Sequence, residues 1–429
     1  MASAEPQDDI GASGLTRKIL VGMGAGLALG LALNAFGLAE AGYASQLIVQ
    51  GLLHVGGAIF LASLKLLVVP LVLVSLVCGT AALDDISRLG RLGGRTMLLY
   101  LFTTAVAITL AITAAILIQP GAGFDLPTDV QFQGRVAPSL ADTLIQIFPT
   151  NPIHAMAEGN MLQIIVFAVL FGLAMTMAGE AGARMLRFFE DANAVIMRLV
   201  GLLMRIAPIG VFCLIAKVFA EQGFEAFQPL LKYFFVVLGV LLLHGLGVYP
   251  ALLTVLGRLD PVMFFRKMRS PQVVAFSTAS SGATLPVTLR TAERRLGVDN
   301  RVASFTIPLG ATINMDGTAI MQGVATVFIS QAYGIDIGPG GYLMVVLTAT
   351  LASIGTAGVP GVGLIMLAMV LRQVGLPVEG IGLIIGIDRL LDMVRTAVNI
   401  TGDAAVTCIV AKGEGQLDAE IYADPNAGN

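Results

Sequence analysis

Long apolar segments constrain the fold of this chain more than any other feature of its sequence. A membrane-spanning helix needs about 20 predominantly apolar residues. The chain is 56% hydrophobic and only 12% charged, which excludes an ordinary soluble globular protein. The predicted spans cover residues 17–38, 47–80, 96–118, 160–178, 193–220, 230–256, 302–332 and 378–411.

Basic residues in the connections predict how these spans are oriented, because Lys and Arg accumulate on the cytoplasmic side. Arg17 and Lys18 place the start of the chain inside, and the arginines between residues 88 and 95 place the next loop there as well. The polar connection 119–143 carries one arginine and is predicted to lie outside. We therefore expect a multi-pass membrane protein with both termini in the cytoplasm.

Two apolar segments do not fit a simple alternation of spans. Segment 271–289 has basic residues beyond both ends and is predicted to enter and leave the membrane from the inside. Segment 342–371 is predicted to enter and leave from the outside. Two such hairpins, each followed by a span, form an inverted repeat that is typical of secondary transporters. Two ordinary spans with misleading flanks are the alternative.

The stretch "DRLLDMVRTAVNITGD", residues 388–403, places charges between apolar neighbours. Charged groups at membrane depth are costly and usually functional. On a helix the polar side chains share an arc of about 100°. Arg395 can bind a carboxylate through two hydrogen bonds, Asp392 can accept from an ammonium group, and Asp403 is a hard oxygen ligand. A salt-bridge network that serves packing alone is the alternative.

Other polar positions point to ion and substrate binding. Gly317, in "NMDGT", is expected to permit local unwinding, and the freed carbonyls with the Asp316 carboxylate would suit Na⁺. Ser280 and Ser281 at the first hairpin tip suit an anionic group, and the Gly-rich tip 358–363 suits a mobile lid. Three polar side chains share one face of the third span, and the residues alone favour packing for them: Tyr100, Thr103 and Thr104.

Four motifs, "SSGATLP", "INMDGT", "SIGTAGVPG" and "LDMVRTAVNITGD", occur in this order. Together they resemble the dicarboxylate/amino acid:cation symporter family, in particular its archaeal and bacterial aspartate and glutamate transporters, over residues 16–411. The resemblance implies an all-α polytopic membrane protein with eight transmembrane helices and two re-entrant helical hairpins of opposite orientation. It also implies amino-acid transport by Na⁺ symport, an elevator mechanism, and a homotrimer in the plasma membrane of a prokaryote.

The resemblance further implies a role for each site residue. Arg395 would pair with the substrate side-chain carboxylate, Asp392 would hold the α-amino group, and Asn399 with Ser281 would hold the α-carboxylate. The other implied substrate-binding residues are Ser280, Thr318, Val359, Gly363 and Thr396. One sodium would bind to Gly310, Asn314, Asn399 and Asp403. A second would bind to Thr312, Ser353, Ile354 and Thr356, and a third to Tyr100, Thr103, Thr104, Asn314 and Asp316.

The family pattern divides the chain into a fixed scaffold and a moving transport domain. The scaffold would comprise 16–90 (spans 1 and 2) and 120–225 (the outer loop and spans 4 and 5). The transport domain would comprise 91–119 (span 3) and 226–411 (span 6, hairpin 1, span 7, hairpin 2 and span 8), and cytoplasmic tails 1–15 and 412–429 would flank them.

The chain departs from this family pattern at two positions. Archaeal members carry Arg immediately before the hairpin serines, where this chain has Ala279, and Arg389 is a candidate for the missing charge. Animal glutamate carriers place a proton-carrying Glu after the MDGT motif, whereas this chain has Gln322. An amide carries no exchangeable charge at physiological pH, which argues against proton cotransport with potassium countertransport by that route.

Several rival functions remain open at this point. An H⁺-coupled glutamate/aspartate symporter, in which Asp388 would titrate, and a C4-dicarboxylate symporter share the fold, and an anion channel is a rival of another class. An enzyme is disfavoured because no nucleophile–base pair or cofactor motif is visible and His54, His154 and His244 are dispersed. No basic patch with interleaved aromatic residues points to nucleic acid.

Overall fold

The computed structural model describes residues 10–38, 42–43, 45–81, 91–123, 148–353, 358 and 361–428. Within those residues the chain is helical, with one isolated antiparallel bridge between Val298 and Leu417. Most of the predicted outer loop lies outside them.

The α-helices of the described residues are α1 (Ile10–Ala35), α2 (His54–Ala81), α3 (Arg91–Ile118), α4 (Pro152–Glu158), α5 (Met161–Met177), α6 (Gly179–Met204), α7 (Ala207–Gln222), α8 (Phe227–Leu243), α9 (Tyr249–Val255), α10 (Pro261–Thr278), α11 (Ser281–Arg294), α12 (Asn300–Ile313), α13 (Asp316–Ala332), α14 (Gly338–Ser353), α15 (Val362–Gln373), α16 (Ile381–Gly413) and α17 (Ala419–Ala423). π-Helical segments Ser45–Leu53 and His244–Val248 precede α2 and α9, and 3₁₀ turns Gly223–Ala226 and Val378–Gly380 precede α8 and α16.

Four helical stretches in the described part of the chain are long and apolar enough to cross a membrane, and the bent pair α6–α7 would make a fifth. These four are Arg17–Ala35, Ser45–Ala81, Leu92–Ile118 and Phe227–Val255. The 33-residue helix α16 is also long enough, but it carries the charged stretch 388–403. The total of eight spans and the re-entrant course of the two hairpins therefore stay predictions.

Both predicted hairpin segments fold as pairs of helices that pack against each other, α10 with α11 and α14 with α15. Ala279 ends α10 in the left-handed conformation, with φ of 50°. Ser280 then begins α11, because its side chain accepts a hydrogen bond from the backbone N–H of Ala283. This cap places Ser280 and Ser281 at the turn of the first pair.

The predicted span 302–332 consists of two helices, so a break at the "NMDGT" motif is confirmed. The break falls at Asn314 and Met315, whose φ and ψ are not helical, and Gly317 lies in the first turn of α13. The local unwinding expected near Gly317 therefore falls on the two residues before Asp316, and Gly317 itself is helical. The glycine serves close packing instead, since a Cβ there would lie 2.6 Å from the carbonyl oxygen of Arg395 on α16.

The predicted span 193–220 is also two helices rather than one. Helix α6 begins at Gly179 and ends at Met204, and α7 continues at an angle of 49°. Pro208 sits in the first turn of α7. Because proline has no N–H and its ring clashes with the preceding turn, it favours the start of a new helix there.

The helices form two groups by their contacts. In one group α1 packs along α7, and α2 packs against α5, α6 and α7. In the other group α16 contacts α3, α8, α10, α12 and α13, and α13 also contacts α3. Contacts between the groups include those of α15 with α2 and of α16 with α7. The second group brings the predicted site residues together, and its assignment as a moving domain stays a prediction.

Candidate functional site

Arg395 occupies the polar face of α16 and is 1% exposed. Its Nη2 donates to Asp392 Oδ1 at 2.8 Å and to Asp388 Oδ2 at 3.3 Å. Its Nη1 lies 3.0 Å from Asp388 Oδ1, yet neither Nη1 nor Nε has a partner with hydrogen-bond geometry among the described residues. The buried guanidinium therefore retains donors that can serve a further anionic group.

A second arginine also reaches Asp392. Arg389 Nη1 donates to Asp392 Oδ2 at 3.4 Å, while Arg395 holds the other carboxylate oxygen. The hydroxyl of Thr396 donates to the Asp392 carbonyl at 2.8 Å, one turn earlier in the same helix. Arg389 thus supplies positive charge beside Asp392 from α16 itself, and its role as a substitute for the arginine missing at Ala279 stays a prediction.

Asn399 joins α16 to the broken span. Its Oδ1 accepts a hydrogen bond from the Gly317 N–H at 2.7 Å, and its Nδ2 lies 3.4 Å from the sulfur of Met315. The first N–H groups of a helix have no partner within the helix, so this side chain satisfies one of them for α13. The contact fixes Asn399 beside the break between α12 and α13.

The tips of the two helix pairs touch each other. Ser280 Oγ donates to the carbonyl of Gly358 at 2.8 Å, and the Gly282 N–H donates to the same carbonyl at 3.1 Å. A Cβ at Gly358 would lie 3.0 Å from the Cβ of Ser281, so a side chain at this position would crowd the contact. Ser280 and Ser281 therefore lie against Gly358 of the second tip.

Gly363, in the first turn of α15, lies against Arg395. A Cβ at Gly363 would be 3.5 Å from Arg395 Nη2 and 3.4 Å from Thr318 Cγ2. Three residues that were predicted to bind substrate, on α13, α15 and α16, are thus neighbours. Val359 was also predicted to contribute and lies outside the described residues.

A buried hydrogen-bonded group, here called the Asp316 cluster, surrounds the start of α13. Thr104 Oγ1 donates to Asp316 Oδ1 at 2.7 Å, and Thr103 Oγ1 lies 3.4 Å from the same oxygen. Tyr249 OH donates to Asp316 Oδ2 at 2.8 Å, and His244 Nε2 lies 3.2 Å from that oxygen. Two of the predicted sodium ligands on α3 therefore contact the predicted carboxylate ligand directly.

A second buried carboxylate lies close by. Asp403 Oδ1 accepts from Asn314 Nδ2 at 3.0 Å. A Cβ at Gly310 would lie 2.6 Å from Asp403 Oδ1 and 2.7 Å from the Tyr100 hydroxyl, so these groups converge on the bare backbone of α12. The Tyr100 hydroxyl donates to the carbonyl of Thr306 at 2.9 Å. The Tyr100 side chain thus has no described hydrogen bond to the Asp316 carboxylate, and the residue meets the Asp316 cluster only through its carbonyl, which accepts from Thr103 Oγ1 at 3.0 Å.

The remaining predicted sodium site is described only in part. The hydroxyls of Thr312 and Ser353 donate to carbonyls of their own helices at 2.9 and 2.7 Å. Ile354 and Thr356 lie outside the described residues. Its backbone ligands therefore stay a prediction.

The sequence interpretation missed His244 and Tyr249. They contact Asp316 from the π-helical segment and the start of α9, across 72 and 67 positions of sequence. The signal was present, since a histidine inside an apolar span is a candidate functional group by default. It was set aside because the three histidines are far apart in the sequence.

The charges of the site are unbalanced. Asp316 and Asp403 are both buried, and no Lys or Arg in the described ranges forms an ion pair with either one. A buried carboxylate without a counter-charge costs several kcal/mol. The described residues contain no group of three or more His, Cys, Asp or Glu side chains that could hold a metal ion. A cation here would therefore rely on hydroxyl, amide and carbonyl oxygens around one carboxylate at a time.

Comparison with known sequences shows extended similarity. Residues 15–413 match the family described as "Sodium:dicarboxylate symporter family". The "Proton/sodium-glutamate symport protein" of Bacillus caldotenax is 36% identical over 373 residues, covering 85% of this chain and 88% of the relative. The "Proton/glutamate-aspartate symporter" of Escherichia coli (strain K12) is 36% identical over 383 residues, covering 86% and 87%.

A relative with a different printed substrate is equally similar. The "Neutral amino acid transporter B(0)" of Oryctolagus cuniculus is 36% identical over 422 residues, covering 90% of this chain and 77% of the relative. Overall identity therefore does not distinguish acidic from neutral substrates, and that distinction depends on individual residues of the site.

Proposed function

Because this chain belongs to the Sodium:dicarboxylate symporter family, we propose that it imports an acidic amino acid, aspartate or glutamate, by symport with Na⁺. Members of this family are transporters rather than enzymes. Two of the relatives described above carry glutamate or glutamate-aspartate in their names.

The observation that carries the substrate class is the buried guanidinium of Arg395 with unused donors. Leaving such donors unpaired is unfavourable, and a carboxylate is the group that a guanidinium binds best. Asp392 lies beside it and can accept from an ammonium group. A substrate with a side-chain carboxylate and an α-amino group can serve both, whereas a neutral amino acid has no side-chain carboxylate for the free donors of Arg395 and a C4-dicarboxylate has no ammonium group for Asp392.

The buried carboxylates of Asp316 and Asp403 support Na⁺ as the coupling ion. Without a cation, each stays a charge in a poorly solvated interior, and hydroxyl and amide oxygens already surround them. A sodium ion prefers oxygen ligands of this kind, as other hard cations do. Asn399 links this region to Arg395 along one helix, so ion and substrate would stabilise each other's site.

The contact between the hairpin tips suggests how binding becomes transport. We infer that the second tip closes over the substrate and ions, and that the closed site then moves across the membrane against a fixed scaffold. This elevator, the homotrimer and the prokaryotic plasma membrane follow from the family resemblance. The division of the helices into two packed groups supports a moving part and a fixed part.

Coupling to H⁺ is the alternative, because two of the compared relatives are named as proton symporters. Purified protein in liposomes distinguishes the two. A Na⁺ gradient alone should drive uptake of radiolabelled aspartate, and a pH gradient alone should not. Unlabelled glutamate should compete, while serine and succinate should compete at least about tenfold less well. Uptake driven by the pH gradient in the absence of Na⁺ would overturn the proposal.

A further inference from the structure

The chain after α16 returns to the base of the first helix pair. Residues 416–423, here called the C-terminal strap, run antiparallel to the loop between α11 and α12. The Asp299 N–H donates to the Gln416 carbonyl at 2.9 Å, and the Asp418 N–H donates to the Gly297 carbonyl at 2.7 Å. The strap lies within the predicted cytoplasmic tail 412–429, and these contacts were not predicted from the sequence.

Lys267 of α10 anchors the strap and is 0% exposed. Its Nζ donates to the carbonyls of Arg295, Ile421 and Tyr422 at 2.6, 2.6 and 2.7 Å. An ammonium group has three N–H donors, so all three are used. The Arg295 carbonyl directly follows the end of α11, and the other two carbonyls belong to the strap. A single side chain therefore ties both helices of the pair to the strap.

The surroundings of Lys267 are unusual for a charged group. Burial lowers the pKa of this ammonium below its ordinary value, and no carboxylate of the described residues lies within ion-pair distance of Nζ. The ring of Tyr422 lies 5.7 Å from Nζ, and the Tyr422 hydroxyl donates to the Asp260 carbonyl at 2.9 Å. Backbone dipoles and an aromatic face hold the charge, so the socket exists only while the strap is docked.

The strap also connects the two walls of the proposed substrate site. It follows α16, which carries Arg395. It is hydrogen-bonded to the base of the first helix pair, whose tip carries Ser280. Ser280 follows Lys267 by thirteen positions, and the eleven helical steps from Lys267 to Thr278 correspond to about 17 Å at 1.5 Å per residue. Fixing α10 and α11 together at the base therefore restrains how far their ends can separate at the tip.

We infer that the C-terminal strap and Lys267 are a positioning device that holds the first helix pair rigid beside α16. This inference rests on the proposed function for its consequence: Ser280 and Ser281 stay at a fixed distance from Arg395 while the second tip opens and closes. Loss of the strap lets the first tip separate as well, which lowers affinity for substrate.

Hydrogen exchange followed by mass spectrometry on the purified full-length protein tests this inference, without substrate or Na⁺. Lys267→Met removes the anchor, and Gly297→Ala displaces the strap, because Gly297 has φ of 72° and a Cβ there would lie 2.5 Å from the Asp418 carbonyl oxygen. Lys412→Met is the matched control, because it removes the same charge from an exposed position. Tyr422→Phe removes only the hydrogen bond to Asp260, so it still tests the inference if the Lys267 variant does not fold. We call Lys267→Met, Gly297→Ala and Tyr422→Phe the strap variants.

The first helix pair should exchange at least about tenfold faster in the strap variants than in the wild type and in Lys412→Met, while α1 and α2 stay unchanged. The strap variants should also bind aspartate more weakly. Unchanged exchange in folded strap variants, or an equal rise over the whole chain, would overturn the inference. Since exchange is read without ligand, this outcome is independent of whether the protein transports aspartate.

Discussion

Arg395 is the residue on which the proposed substrate class depends most. Replacing it with Lys keeps a positive charge near Asp388 and Asp392 but loses the planar fork that binds a carboxylate. We expect Arg395→Lys to weaken aspartate binding by about 2–3 kcal/mol, the scale of hydrogen bonds to charged groups. Isothermal titration of the purified variant measures this loss.

The matched control for this prediction is Arg389→Lys. Arg389 contacts Asp392 at 3.4 Å, and its exposure is greater than that of Arg395. Its replacement should change aspartate affinity by less than about tenfold. Equal losses in both variants would contradict the assignment. Arg395→Ala is a poorer test, because it leaves Asp388 buried without its ion-pair partner, at about 3–5 kcal/mol.

Helical periodicity predicts which side chains share one face of a helix. The alignment of Asp392, Arg395 and Asn399 on one face of α16 could be read from their spacing. The partners of those residues on other helices could not, since spacing within one segment does not say which segment packs against it. For this reason the contacts of Asn399 with Gly317 and of His244 with Asp316 became visible only in the structure.

At the scale of elements, Gly317 controls how closely α13 approaches α16. A methyl group there would lie 2.6 Å from the Arg395 carbonyl oxygen and 2.9 Å from its Cα. We expect Gly317→Ala to push the helices apart, lower the melting temperature and weaken aspartate binding, with a destabilisation of about 1–3 kcal/mol. Gly239→Ala on α8 is the control, because no atom lies within 4 Å of its added Cβ. Greater loss in the control would contradict this account.

Lys65 of α2 and Glu379, just before α16, join the two groups of helices at 2.6 Å. Burial alone would raise the pKa of Glu379, but the hydrogen bond from Lys65 and the nearby positive charges lower it below its ordinary value of 4.5. A carboxyl with a lowered pKa stabilises the folded state above its ordinary pKa and loses that contribution as the pH falls through the folded-state value.

A double-mutant cycle with Lys65→Met and Glu379→Gln measures this contact between the groups. The pair is partly exposed, so we expect a coupling of at most about 1 kcal/mol in thermal unfolding at pH 7. Raising the salt concentration should weaken the coupling, and acidification through the folded-state pKa of Glu379, which lies below 4.5, should remove it. Equal coupling at neutral and acidic pH would contradict the ion-pair interpretation.

Element boundaries were only partly predictable from the sequence. The interruption within "NMDGT" was visible because a buried acid and a glycine occur in an apolar span. The 49° bend between α6 and α7 was not predicted, although Pro208 is a local signal for it. The docking of residues 416–423 onto the first helix pair was also missed, because backbone carbonyls that bind Lys267 leave no side-chain pattern.

For the whole molecule, the proposal predicts a homotrimer. Native mass spectrometry from detergent should give a mass three times that of the 44.6 kDa chain. Interfaces of this kind in multi-pass proteins bury apolar faces that a single chain leaves uncovered. A monomer that transports aspartate at the wild-type rate would contradict this prediction.

The central claim is that buried carboxylates near the substrate site require Na⁺ before an acidic amino acid binds tightly. The most direct measurement is the aspartate dissociation constant as a function of Na⁺ concentration, with choline keeping the ionic strength constant, at pH 6 and pH 8. We predict that the constant falls steeply as Na⁺ rises and is nearly the same at both pH values, because Asp316 and Asp403 are neutralised by sodium. A constant that ignores Na⁺ but changes between pH 6 and pH 8 would contradict the account.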